Sequence, residues 1–315
     1  MQTTDSRLDA RAPGHPGRKL RLGLPPLALV HLIGLTLGWG LTWPIMKIGL
    51  NEIPPLAFRA IVTPLGALAL VAVTLATRER LGVPRGRWGA LALASSFNMI
   101  GWFVFMAFGL AILRSGEAAI MAYTMPVWAA ILSYFVLGER LTHRLLAGLV
   151  LGLAGIGILT LDGFGSFRAA PLGVAFMLLA ALSWASGTVV QKRVDWRMPV
   201  IAVTAWQLAI ATPPMILAGV LLDDPDLTTV SVAAWFAVTY TVVVATAYCF
   251  YAWFKILSLV PAMVSAISVL AIPVVGVAGG GIVLGEAVGW RELVALVLVC
   301  GALSLVLLQR GDRRV

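Results

Sequence analysis

Long apolar stretches separated by short polar connections make up most of this chain. A helix that crosses a bilayer needs about 20 consecutive, mainly apolar residues. Charged residues, glycines and prolines divide the chain into ten stretches of that kind, near residues 26–47, 55–77, 87–111, 115–136, 143–162, 170–192, 199–222, 232–257, 261–285 and 290–309. The pattern predicts an all-α integral membrane protein with ten transmembrane helices.

A repeat divides the ten predicted helices into two units. The tripeptide Leu-Gly-Glu ends at Glu139 and again at Glu286, a separation of 286 − 139 = 147 residues. A proline precedes each glutamate, at Pro126 and Pro273, and here too 273 − 126 = 147. Duplicated apolar helices are typical of secondary transporters. Because each unit holds an odd number of helices, the second unit is expected to be inverted relative to the first.

The repeat predicts the organisation of the chain. We expect a disordered, basic cytoplasmic tail over residues 1–24, a first five-helix unit over 25–165, a second, inverted five-helix unit over 166–309, and a cytoplasmic tail over 310–315. A pseudo-two-fold axis in the membrane plane would relate the units. A site on that axis can face either side of the membrane in turn, which is the basis of alternating access.

The composition indicates that lipid is the outer solvent. Hydrophobic residues make up 60% of the chain and charged residues 12%, whereas a soluble domain carries about 25% charged residues. The formal net charge of +9 comes from lysines and arginines at the ends of the apolar stretches, where lipid headgroups lie. The expected partner of this charge is therefore the lipid bilayer and not a nucleic acid.

The positions of lysine and arginine also predict the orientation. All but five of the 23 fall in the two tails or in alternate connections, while the other connections hold the acidic residues Asp223, Asp224 and Asp226. Positive residues stay on the cytoplasmic side of a membrane. We therefore expect both termini in the cytoplasm, with the chain in a bacterial-type inner (plasma) membrane.

Several kinds of chemistry have little support in the sequence. Cys249 and Cys300 lie inside apolar stretches, which argues against a disulfide and against a metal site. The histidines His15, His31 and His143 do not cluster with acidic residues, so an enzyme active site is not expected. We expect no cofactor and no metal. The expected ligand is a small-molecule substrate, and the oligomeric state is left open between a monomer and a homodimer.

Motifs in a definite order along the chain carry a family resemblance. They are residues 137–141 followed by Gly148, Leu151 and Gly155, residues 40–47 followed by Phe58 and Arg59, and residues 183–185 followed by Gln191 and Lys192. Together they resemble the drug/metabolite transporter superfamily, and specifically its EamA-type ten-helix members, over about residues 28–309. The second copy, which has Ala295 and Gly301 after Glu286, departs from the pattern in its helix glycines.

The resemblance implies a carrier of small metabolites, commonly an exporter. Within the family, the Trp-rich helices with neutral polar residues resemble most the exporters of aromatic and neutral amino acids. Two alternatives stay open. One is translocation of drugs or lipid precursors by the same fold, and the other, from a different class, is an integral-membrane enzyme.

The distribution of acidic residues bears on the mechanism. All 14 lie in tails or at predicted helix ends, whereas a proton-coupled carrier generally needs an ionisable group within the membrane. The nearest candidates are His31, for which packing is the simpler interpretation, and Glu117, which suits a helix N-terminus. We therefore expect a facilitative carrier and not one coupled to protons through a carboxylate.

Neutral polar and aromatic residues near the span centres are the candidates for substrate binding. They are Trp39, Asn98, Trp102, Tyr123, Trp184, Thr188, Trp206, Tyr248 and Tyr251. Amphipathic rings suit a substrate with an apolar body and a polar head. For each ring the alternative is simple packing or an interfacial belt, and for Asn98 it is a structural bond between helices.

Prolines within the predicted helices are the candidates for gating. Pro64 and Pro213 each follow a threonine in the second and seventh helices, and Pro126 and Pro273 fall near the centres of the fourth and ninth. Proline inside a helix removes a backbone hydrogen bond and kinks the helix. Kinks at matching places in both units can act as gates, and the alternative is a fixed bend.

Two basic residues near helix ends need a partner. Arg59 lies about one turn inside the second helix, where a guanidinium must find water, a headgroup or a carboxylate. A substrate carboxylate is one interpretation, and an ion pair or a solvated vestibule is the favoured one. Lys47 and its counterpart Lys192 are expected to reach opposite membrane surfaces.

Overall fold

A computed structural model describes residues 26–138, 143–161, 170–223, 225–259 and 262–307 of the chain. Over these residues it contains ten helical rods. They are α1 (Pro26–Leu50), α2 (Pro55–Ala76), α3 (Trp88–Ile112), α4 (Ser115–Ala122 and Met125–Leu137), α5 (His143–Leu161), α6 (Pro171–Arg193), α7 (Val200–Asp223), α8 (Val232–Tyr240, Thr241–Tyr248 and Cys249–Leu259), α9 (Ala262–Leu284) and α10 (Trp290–Leu307). The predicted bounds agree with the structure to within three residues. The predicted tails and Glu139 lie outside the described residues.

The helices have the length and the surface of membrane spans. Seven of those described are long and apolar enough to cross a bilayer. Their outer surfaces carry large apolar side chains such as Leu68, Leu222 and Ile282, which are 67%, 72% and 85% exposed. Such a surface is stable only against lipid. The prediction of an all-α membrane protein is therefore confirmed.

Helices of the two units pack against each other in matching pairs. The helix α1 packs on α8 and α9 of the second unit, and its counterpart α6 packs on α3 and α4 of the first. The pairs α2–α7 and α5–α10 join equivalent helices. This arrangement is what two inverted repeats produce, so the interior of the molecule is a seam between the two units.

α3 and its counterpart α8 are interrupted at equivalent places. π-Helical turns occur at Ser96–Gly101 in α3 and at Thr241–Tyr248 in α8. Such turns are frequent at functional sites.

The prolines of α4 and α9 behave differently. In the first unit α4 stops at Ala122 and a new helix begins at Met125, with Pro126 in its first turn. Proline is tolerated at that position. By contrast, α9 runs without a break through Pro273.

Several polar contacts between the described parts of the two units lie at one end of the molecule. This end, called the α1–α2 end, carries the connections 51–54, 113–114, 225–231 and 285–289. The contacts join Glu52 to Ser231, Asp223 to the backbone of Leu56 and Ala57, Glu286 to Ser115 and Gly116, and Arg114 to Glu292. Carboxylates therefore fill the N-terminal ends of helices that begin here, as the helix dipole favours.

Candidate functional site

Two pairs of aromatic rings, with residues from both units, lie in the core where the two units pack against each other. The rings of Trp102 in α3 and Trp184 in α6 lie 5.2 Å apart, and those of Trp43 in α1 and Tyr123 at the break in α4 lie 6.4 Å apart. All four belong to or pack against one contiguous core cluster. We call them the aromatic group. It contains three of the predicted candidates together with Trp43, which the sequence reasoning did not select.

Trp39 is next to the aromatic group but faces α8. Its indole N–H donates to the carbonyl of Ala245, in the π-helical turn, at 2.9 Å. Its ring packs on those of Phe250 and Trp253, at 5.7 Å and 6.3 Å. Trp39 also packs against the core cluster that contains the aromatic group. It therefore connects that cluster to α8.

A pair of buried amides joins α3 to α7. Asn98 Nδ2 donates to Gln207 Oε1 at 3.1 Å, and the two residues are 2% and 0% exposed. Asn98 Oδ1 and Gln207 Nε2 have no hydrogen-bond partner in the described part of the chain. Asn98 Oδ1 lies so close to α6 that a Cβ added at Gly187 would be 1.8 Å from it. We call Asn98 and Gln207 the amide pair.

The backbone around the amide pair is also held by hydroxyl groups. Ser95 Oγ donates to the carbonyl of Gln207 at 2.6 Å, and Ser183 Oγ donates to the carbonyl of Phe97 at 2.8 Å. These bonds fix α7 and α6 to the π-helical turn of α3. Gln207 is a buried amide in an apolar span, as Asn98 is, and the sequence places it with Asn98 among the polar residues near the span centres.

The other predicted candidates lie elsewhere. Tyr248 and Tyr251 surround His31, with ring centroids at 6.2 Å and 5.8 Å, so His31 is packed between them. Trp206 donates its indole N–H to the carbonyl of Leu81 at 2.7 Å, near the end opposite the α1–α2 end. These three rings therefore do not join the aromatic group.

The ring of Trp206 also packs edge-on against that of Trp88, with centroids 5.0 Å apart. The hydroxyl of Thr188 donates to the carbonyl of Trp184, one turn earlier in α6, at 2.9 Å. This bond lies within one helix and does not join Thr188 to another helix.

Arg59 is buried, in contrast to the favoured expectation. The residue is 1% exposed, and its Nη2 lies 3.1 Å from Met46 Sδ. Its guanidinium carbon lies 4.6 Å from the centroid of the Phe103 ring and 5.8 Å from that of Phe58. No ion pair with Arg59 occurs among the described residues. Among the described residues, Arg59 therefore has neither the expected ion pair nor the expected solvated vestibule.

Lys47 is partly exposed and lies at the end of α3, beside the connection 113–114 of the α1–α2 end, while its approach to the membrane surface stays a prediction. Its ammonium group donates to the carbonyls of Leu110, Ala111 and Leu113 at 2.7–2.9 Å. A cation is stabilised at this position because the last carbonyls of α3 lack partners within the helix. Lys47 therefore has a structural role in closing the C-terminal end of α3.

Acidic residues at the α1–α2 end are held in place by hydrogen bonds. Glu286 accepts from Ser115 N at 2.7 Å and from Ser115 Oγ at 2.9 Å, and Arg114 Nη1 lies 2.7 Å from Glu292 Oε1. Glu52 accepts from the hydroxyl and the backbone N–H of Ser231, which hold the pKa of its carboxyl below the ordinary value. Within the described residues no group of three His, Cys, Asp or Glu side chains could hold a metal ion.

The prolines proposed as gates have different surroundings. Pro64 in α2 is half-buried, Pro213 in α7 is exposed and followed by a second proline, Pro214, and Pro273 is buried. Their role in gating stays a prediction.

The chain matches a known transporter family over both units. The profile of the EamA-like transporter family aligns with residues 26–161 and again with residues 171–308. The chain belongs to the EamA-like transporter family. Each match covers one set of five helices, so the protein is a multi-pass membrane transporter built from two copies of the family's repeat.

Named relatives include transporters and efflux pumps. The uncharacterized transporter YoaV of Bacillus subtilis (strain 168) is 25% identical over 273 residues, which cover 86% of this chain and 94% of YoaV. A Salmonella typhimurium protein named "Probable amino-acid metabolite efflux pump" is 28% identical over 283 residues, covering 85% of this chain and 90% of that protein. The protein of the same name in Escherichia coli (strain K12) is 28% identical over 275 residues.

The same architecture occurs in a solved structure. A protein crystal structure with 24% sequence identity superposes on this chain with a TM-score of 0.65 and covers 89% of this chain and 96% of the other. At that identity the likeness concerns the fold alone. It agrees with the two-unit arrangement described above.

Proposed function

We propose that the protein is an inner-membrane carrier that exports small, mainly neutral metabolites, and amino acids in particular, by alternating access. The observation that carries the proposal is the aromatic group beside the amide pair, at the seam between two inverted units. Aromatic faces suit an apolar side chain and amides suit polar groups. Two relatives named as amino-acid metabolite efflux pumps support the choice of substrate class.

The proposed orientation places both termini in the cytoplasm. The α1–α2 end, with its carboxylates Glu52, Glu286 and Glu292, then faces outward, and the arginine-rich connections face inward. In this arrangement the contacts at the α1–α2 end join the two units on the outer side. Outward release of substrate would require those contacts to separate.

Transport is proposed to be facilitative. Glu117 lies in the first turn of α4, where it accepts from the backbone N–H of Arg114 at 3.4 Å, and Glu286 lies in the connection before α10. Among the described residues no Asp or Glu lies near the centre of a helix. Cationic drug efflux would favour such a carboxylate, so a neutral substrate is the better match.

Reconstituted vesicles test the proposal. Vesicles loaded with unlabelled amino acid should take up the same labelled amino acid by counterflow, above protein-free vesicles, at several pH values and without a proton gradient. Replacing Glu117 by Gln should change the rate only modestly. No movement of any amino acid in a broad panel would end the amino-acid version, and exchange that requires a proton gradient would end the facilitative one.

The same vesicle assay, applied to tryptophan variants, tests whether the aromatic group binds the substrate. Trp102→Ala removes a ring contact worth about 0.5–1.5 kcal/mol, so transport should fall by about two- to tenfold. Trp88→Ala is the matched control, since it removes another tryptophan ring pair from the same helix at the far end. Equal effects of the two substitutions would count against a substrate site at the aromatic group.

A further inference from the structure

Arg59 is a buried cation without an anion in the part of the chain that the structure describes. Its Nε has no hydrogen-bond partner there, and its Nη2 has only the weak acceptor Met46 Sδ at 3.1 Å. A guanidinium brings five N–H donors, and burying a charge without a hydrogen-bonded counter-charge is expensive. The face of Phe103, 4.6 Å away, offers attraction but accepts no N–H···O bond.

Two acidic residues beside the start of α2, the helix that carries Arg59, already have hydrogen-bond partners. Asp223 Oδ2 accepts from the backbone N–H groups of Leu56 and Ala57, at 2.7 Å and 2.8 Å, so it fills the N-terminal end of α2. Glu52 accepts from Ser231 at 2.6 Å and 2.7 Å. The start of α2 therefore holds two carboxylates, and each of them is directed at backbone or hydroxyl donors and not at the guanidinium.

We infer that Arg59 binds the carboxylate of the transported substrate, an inference that rests on the proposed function. A carboxylate matches the planar fork of a guanidinium through two parallel hydrogen bonds. The substrate class is accordingly a small molecule with a free carboxylate, which a neutral amino acid has and its carboxamide or amine lacks.

The surroundings of Arg59 suit the rest of such a substrate. Phe103, over which the guanidinium lies, follows Trp102 in α3, and the Trp102 ring is in contact with that of Trp184. Arg59 thus adjoins the cluster that contains the aromatic group. A carboxylate at Arg59 places the apolar side chain of an amino acid among aromatic rings.

The second unit does not repeat this arrangement. The equivalent helix, α7, has no lysine or arginine between Val200 and Asp223, and its buried polar residues are Thr204 and the amide Gln207, which pairs with Asn98. Since Arg59 is enclosed in this conformation, the substrate reaches it when the two units move apart.

Counterflow with matched substrates tests the inference. Vesicles containing the wild type, Arg59→Gln, Arg59→Lys or Arg80→Gln are assayed with labelled phenylalanine and, as competitors, phenylalanine, phenylalaninamide and phenethylamine. Arg80→Gln removes an exposed arginine from the α2–α3 connection and is the charge control. Leucine and leucinamide form a second set, so that the result does not depend on one side chain.

We expect the Arg59 variants to change the preference for the acid over its amide or amine, and not only the rate of transport. In the wild type the acid should compete at least about tenfold better than its amide or amine, because a charged hydrogen-bonded pair is lost with the carboxylate. Arg59→Gln should reduce that ratio to about one. Arg59→Lys should keep an intermediate ratio, since it keeps the charge but not the fork. Arg80→Gln should behave as the wild type.

Three outcomes would overturn the inference. One is a wild type on which the amide competes as well as the acid, a result that needs no variant and so does not depend on folding. Another is a folded Arg59→Gln that keeps the wild-type preference while amino-acid transport itself persists. The third is a wild type that moves neither acids nor amides. Only the third outcome also overturns the proposed function.

Discussion

The equivalent helices α2 and α7 pack against each other, yet they bury different polar groups. Each carries a threonine followed by proline, at 63–64 and 212–213. In α7 the buried group is Gln207, which is bonded to Asn98, whereas in α2 it is Arg59, which has no anion among the described residues. The difference assigns Gln207 to the contact between the two units and, under the inference above, Arg59 to the substrate carboxylate.

The packing of the amide pair should be the most sensitive part of this comparison. Gly187→Ala places a Cβ 1.8 Å from Asn98 Oδ1, so Asn98 or α6 must move. We expect a loss of about 3 kcal/mol in the free energy of unfolding, measured by denaturant titration in mixed micelles. Gly89→Ala is the control, because a Cβ there meets nothing within 4 Å. Equal stabilities for the two variants would show that the amide pair is loosely packed.

Stability should respond with different signs in α7 and α2. Gln207→Leu leaves Asn98 buried without its partner and should cost about 2 kcal/mol in unfolding free energy. Arg59→Met removes a buried charge that has no anion among the described residues and should leave the stability unchanged or higher, although the preference for the acid over its amide is lost. The same titration measures both. An Arg59→Met variant less stable than Gln207→Leu would reverse the roles assigned to the two helices.

The sequence predicts the helices well because a membrane sets their length. Apolar stretches of about 20 residues must span the bilayer, so the bounds agree to within three residues. The same apolar character hides which face of a helix points inward, because lipid is as apolar as the core. The predicted depth in the membrane therefore grouped Trp206 with Trp102. In the structure Trp206 donates to the carbonyl of Leu81, near the end opposite the α1–α2 end.

Partners supplied by other helices are the second limit on prediction. Nothing in the sequence near Lys47 shows that the last carbonyls of α3 lie beside it. Pro126 fits a kink or a new helix start equally well, and only the break after Ala122 decides. The burial of Arg59 likewise depends on Met46 and Phe103 together.

The ion pair at the α1–α2 end should contribute less than either buried group. Arg114 Nη1 and Glu292 Oε1 are 2.7 Å apart, but the arginine side chain is 38% exposed, so solvent screens the interaction. A double-mutant cycle of Arg114→Gln and Glu292→Gln should give a coupling energy of about 0.5 kcal/mol in unfolding free energy. A coupling energy as large as the effect of Gln207→Leu would mean that the contacts at this end stabilise the packing of the two units at least as much as the amide pair does.

The smallest expected effect is the pH dependence that Glu52 contributes. Its bonds to Ser231 lower the pKa of the carboxyl in the folded state, so the stabilisation is present above the unfolded value of about 4.3. It is lost as the pH falls through the lowered folded value. The thermal unfolding midpoint of the wild type should exceed that of Glu52→Gln at pH 7 and converge with it in acid. A difference that grows in acid would contradict the assigned bonds.

Ligand-induced stabilisation tests the central claim most directly. At a fixed concentration, a ligand that binds only the folded protein raises the thermal unfolding midpoint more when it binds more tightly. The measurement compares phenylalanine with phenylalaninamide on the purified wild type, on Arg59→Met and on the charge control Arg80→Gln. We predict that the acid raises the midpoint of the wild type and of Arg80→Gln more than the amide does, and that Arg59→Met loses this difference. A difference that persists in Arg59→Met would contradict the claim that the buried cation of α2 binds the substrate carboxylate.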